Sequence, residues 1–142
     1  MTMLARRIII LIAAVFLGGC AALQPVVPPT QPSGNSAVMA LLNNAQSQAA
    51  AGRMEEARSS LERALRIEPR NPVLWQKLAR IRLEQGQYRQ AENMAAKSNV
   101  LAGANRDLQS ENWRIIGEAR SRRGDLQGAQ AAFEKAENVL KN

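Results

Sequence analysis

The chain has 142 residues and a formal charge of +7, with a sequence pI of about 10.7. It holds no histidine and one cysteine, which removes the usual general base near neutral pH, the commonest metal ligand, an intrachain disulfide and any paired-cysteine metal or redox site. Its apolar fraction of 46% suffices for a core, but only 4% is aromatic, so that core must use small, closely packed side chains, alanine above all, which favours helices.

The first segment carries Arg6 and Arg7 and no acid. Ile8 to Leu17 is then an unbroken apolar run of ten residues, followed by the small residues Gly18, Gly19, Cys20, Ala21 and Ala22. This order is that of a secretory signal, and the run is too short for a spanning helix, which needs about 20 apolar residues. "LGGC" resembles the lipobox of bacterial lipoproteins. The resemblance implies removal of residues 1–19, a diacylglycerol on the Cys20 thiol and an acyl chain on the new N terminus, with no other cofactor. One acyl chain holds a protein to a membrane only marginally, whereas two or more hold it stably. Ala21 in place of an aspartate implies, within that family, an outer-membrane location facing the periplasm. Cys20 is thus read as an anchor and not a nucleophile.

Residues 20–36 join this cysteine to the remainder of the chain, and they include Pro25, Pro28, Pro29 and Pro32 with no charge. Proline lacks the amide donor and favours extended geometry at about 3.1 Å per residue, so the segment reads as a disordered tether reaching on the order of 50 Å.

Residues 37–142 read as one all-helical domain with an internal repeat. Gly52, Gly86 and Gly124 are each followed five residues later by Ala57, Ala91 and Ala129, and seven further on by Ala64, Ser98 and Ala136. Trp75 and Trp113 stand eleven residues before the second and third glycines, and Leu41 holds that place in the first unit. The units are 34 and then 38 residues apart. This grammar resembles the tetratricopeptide repeat, with units at about 38–71, 72–105 and 110–142. The resemblance implies three helix-turn-helix hairpins in a short right-handed superhelix. Each glycine ends a first helix in a left-handed conformation, and each alanine or serine lets two helices approach closely. The four extra residues after unit two, in "NVLAGANRDLQSE", fit either a longer second helix or a loop at Gly103 and Ala104 with Asn105 capping the next helix.

No arrangement of residues points to catalysis or to a metal. By register with the family, the concave face is lined by the first helices. Unit one presents Met39, Leu42, Asn43, Gln46, Ala49 and Ala50. Unit two presents Val73, Gln76, Lys77, Arg80, Leu83 and Glu84. Unit three presents Glu111, Arg114, Ile115, Glu118, Ser121 and Arg122. The binding residues expected among them are Asn43, Gln46, Gln76, Lys77, Arg80, Arg114, Glu118 and Arg122. Cations in such a groove suit a protein or peptide carrying carboxylates. The family's clamp for chaperone tails is not reproduced, because Glu111 and Ile115 stand where unit three would need basic groups. Phe133, Ala136, Val139 and Leu140 fall on one face of the last helix, which no further repeat covers, so self-association into a homodimer through them is a second expectation.

The reading of the sequence is a non-catalytic envelope lipoprotein that acts as a protein-protein interaction scaffold or adaptor. Export argues against a nucleic-acid partner for the positive charge. The clients implied by the resemblance are cell-wall synthases or hydrolases, envelope proteases, and secretion or pilus machinery. Two alternatives stand beside it: a pilotin-like assembly factor for a secretin or pilus, and a structural lipoprotein whose basic domain binds peptidoglycan or lipopolysaccharide.

Overall fold

Three asparagines start three helices. In the computed structural model, which describes residues 33–141, the Asn35 side chain accepts from the amides of Ala37 and Val38, Asn71 from those of Val73 and Leu74, and Asn105 from that of Leu108. Each satisfies donors that the first turn of a helix leaves without intrahelical partners. The helices so capped are α1 (Ser36–Ala50), α3 (Pro72–Glu84) and α5 (Arg106–Arg122). Each runs into a short turn and a second helix: α2 (Met54–Ile67), α4 (Tyr88–Leu101) and α6 (Leu126–Lys141). The turns contain Gly52, Gly86 and Gly124 at φ of 74°, 73° and 84°, a conformation that costs a side chain with a Cβ but not glycine. The leader, Cys20 and most of the tether lie outside the described residues.

The described residues form three antiparallel hairpins, each packed on the next, and contain no strand. The chain turns where the loop alternative placed it, at Gly103 with Asn105 as cap. The connection 102–105 is no longer than 68–71, however, so the extra residues lengthen α5 and not the loop. Helix α4 stops at Leu101, Gly103 turns the chain at φ 56°, and α5 begins at Arg106, a turn earlier than the repeat register placed it.

The core is built as its composition requires. Ala57, Ala64, Ala79, Ala91, Ala95 and Ala119 have no exposed surface, which brings helix backbones close together. Larger side chains, among them Val38, Leu42, Leu61, Leu74 and Ile116, fill the remaining space. Trp75 and Trp113 lie half-buried against the core; the Trp75 indole N–H donates to the carbonyl of Pro69, 2.9 Å away. Two buried hydroxyls tie the ends of hairpins together. Ser98 donates to the carbonyl of Pro72, and Ser110 to that of Ala136, each at 2.8 Å. The fully buried Asn112 adds a bond from its amide to Ser98 Oγ, which joins the second hairpin to the third.

Candidate functional site

Helices α1, α2 and α3 enclose a cleft of about 220 Å³ between the first two hairpins. Its floor is apolar: Leu42, Ala45, Ala49, Met54, Leu61 and Ile81. Its rim is polar, with Gln46 on one side and Lys77, Arg80 and Glu84 on the other. The capped first helices explain this placement, because positions one turn apart on α3 present Lys77, Arg80 and Glu84 on one stripe.

The charges along the groove are not equivalent. Arg80 lies 3.5 Å from Glu111 on α5, and the Gln76 amide donates to the same carboxylate at 2.8 Å. Arg122 pairs with Glu118 at 3.1 Å. Among the described residues no carboxylate lies within 4.0 Å of Lys77 or Arg114. These two cations, on adjacent first helices, are therefore free to meet an incoming anion.

Several residues placed on the groove wall by register take other positions. Gln76 is only 3% exposed; it supports the wall by holding Glu111 and does not line it. Leu83 and Ile115 are core residues, turned inward by the packing of neighbouring hairpins, whereas Leu42, though buried, keeps its place as part of the cleft floor. Asn43 is exposed but does not border the cleft. The floor residues Met54, Leu61 and Ile81 were not singled out from the sequence: two come from the second helix of the first hairpin, and their meeting depends on tertiary packing.

The two surfaces expected to be separate are joined. Arg114 and Glu118 share a hollow with Phe133, Ala136 and Glu137, and Arg114 borders a second with Asp107, Ser110, Glu111 and Leu140. The last helix thus continues the third hairpin's groove face. Of its four expected contact residues, Ala136 is 1% exposed and offers no side chain to a second copy, because it packs inside the hairpin. Phe133 is half in and half out: its ring lies directly over Gly117, and Leu140 stands free. Among the described residues no group of three or more carboxylates, cysteines or histidines is placed to hold a metal ion. No described helix is long and apolar enough to cross a membrane.

A tetratricopeptide-repeat family model matches residues 48–99, from the end of α1 to the end of α4. Among solved structures, the globular C-terminal domain of P. aeruginosa LpoP is similar at 40% identity and a TM-score of 0.72, over 74% of this chain and 99% of that one. The Sgt2 tetratricopeptide domain from Aspergillus fumigatus is 24% identical with a TM-score of 0.69, over 80% of this chain and 73% of that one. The second such domain of Spaghetti (RPAP3), solved bound to the HSP90 peptide SRMEEVD, is 21% identical with a TM-score of 0.66, over 73% of this chain and 93% of that one. The last two likenesses speak to the fold alone. No curated protein sequence matches the chain.

Proposed function

This chain belongs to the tetratricopeptide-repeat family, and from that premise we propose that it is a non-catalytic adaptor which holds an envelope protein at the periplasmic face of an outer membrane. The fold is that of an interaction module, and the observation that carries the reading is the cleft between α1, α2 and α3. Its apolar floor can bury a partner's side chain, while the unpaired Lys77 on the rim, beside the Glu111-paired Arg80, can take a carboxylate. Arg114 extends the cationic track onto the next helix.

The envelope part of the proposal rests on the leader, the "LGGC" stretch and the proline-rich tether. Likeness to a domain described as globular and C-terminal fits a chain whose folded part comes after such a segment. A tether with a reach on the order of 50 Å lets the domain range from the membrane surface to the layer where the cell wall lies. Of the client classes, a cell-wall synthase or hydrolase is therefore the one to test first.

The test is affinity capture of the full chain from membranes, with Lys77→Glu/Arg114→Glu beside it. Enrichment of one cell-wall enzyme by the parent and its loss in the variant supports the adaptor. Enrichment of a secretin supports the assembly-factor alternative. Sedimentation with sacculi and no protein partner supports the structural lipoprotein. A Cys20→Ala chain that still fractionates with the outer membrane would remove the anchor.

A further inference from the structure

The described chain begins at Ser33, whose hydroxyl donates to Glu68 Oε1 at 2.5 Å, just past the end of α2. The hairpin topology gathers the C-terminal ends of α2 and α4 and the first turns of α3 and α5 at this same end of the domain. Two large apolar side chains stand out there: Ile67 is 46% exposed and Val100 is 79% exposed. Neither packs on the core.

The same end carries Arg66, Arg70, Lys97 and Arg106, none within 4.0 Å of a carboxylate among the described residues. It also carries two acids: Glu68, which accepts from Ser33 and Asn71, and Asp107 in the first turn of α5. Elsewhere Arg58 is paired with Glu55 and Glu62, Arg82 with Glu62, and Arg120 and Arg123 with Glu92. Arg53, Arg63, Arg89 and Arg114 have no carboxylate within 4.0 Å among the described residues, so the lack of a pair does not by itself set this end apart. The helix dipole accounts for Arg66 in the last turn of α2, but it opposes Arg106 in the first turn of α5, so the helix alone does not explain that cation.

We propose that this end of the domain is a contact surface for an anionic phospholipid bilayer. Guanidinium and ammonium groups would take the lipid phosphates, and Ile67 and Val100 would enter the boundary between headgroups and acyl chains. A polysaccharide or an acidic protein surface could use the cations, but an aliphatic residue as exposed as Val100 fits lipid better. The inference rests on the anchored reading above: a chain held by its N-terminal segment is attached to the domain at this end, so the local lipid concentration is high and weak contacts suffice.

The experiment uses the full chain, purified with its anchor into nanodiscs that contain lipids bearing a fluorescence quencher. A fluorophore is placed at Val100→Cys, or at Arg53→Cys in the turn at the opposite end. In discs rich in phosphatidylglycerol, the label at position 100 should be quenched about twofold or more over that at 53. The difference should vanish in phosphatidylcholine discs, at about 0.5 M salt, and in Arg66→Glu/Arg70→Glu/Arg106→Glu with unchanged circular dichroism. Equal quenching of both labels in anionic discs overturns the proposal and leaves the anchor standing. A chain that does not stay with the discs at all overturns both. A label at position 100 that is protected by purified sacculi, and not by discs, assigns the face to the cell wall and overturns the lipid contact.

Discussion

Gly117 shows how much one side chain decides. It lies within α5, where alanine would be preferred by about 1 kcal/mol on helix propensity alone. A Cβ there would sit 2.6 Å from Phe133 Cε1, on a ring that already covers the backbone. Gly117→Ala should therefore destabilise the domain by about 1–3 kcal/mol in denaturant unfolding, and Phe133→Leu in the same chain should recover part of the loss. The buried Ser98 makes a similar case through hydrogen bonds. Its hydroxyl donates to the Pro72 carbonyl and accepts from Asn112, whose Oδ1 already has no partner. Ser98→Ala should cost about 1–3 kcal/mol, because it strands the buried Asn112 amide as well. The sequence places Ser98 at a close helix crossing, and its small size is legible there. Its second role is not legible, because Asn112 reaches it from the next hairpin.

At the scale of elements, the repeat grammar carries most of the fold. Glycines at left-handed turns and alanines at crossings are local demands of the chain, so they read directly from spacing. The inserted residues do not, since both a longer α4 and a new loop satisfy helix periodicity there. Gly103 in a left-handed conformation and Asn105 as a cap decide for the loop, and the extra length becomes the first turn of α5. Asn105→Ala should cost about 1 kcal/mol and speed amide exchange at Leu108 and Gln109, with the other first helices unaffected. Ion pairs on the second helices are a surface feature. Glu62, then Glu55, raise the Arg58 guanidinium above its ordinary value, with no bearing on the groove.

For the whole molecule, the groove is where sequence reasoning and structure part most. Register with the family finds Lys77 and Arg80 because both lie on one helix and obey its period. It does not find the floor, since Met54 and Leu61 on α2 meet Ile81 on α3 only when two hairpins stack. Nor does it find that Arg114 and Phe133 border one hollow, because a helix wheel treats each helix alone. The joined surface makes the competing readings separable by position. Arg80 beside the cleft reports the groove, and Phe133 on α6 reports the last helix.

The most direct measurement is photo-crosslinking in living cells, with a photoreactive residue at Arg80 or, separately, at Phe133, and adducts identified by mass spectrometry. The adaptor reading predicts one envelope protein captured from position 80, and its loss when Lys77→Ala/Arg114→Ala is added. Adducts that form only from position 133, and only with a second copy of the chain, would contradict it and make the last helix a dimer face.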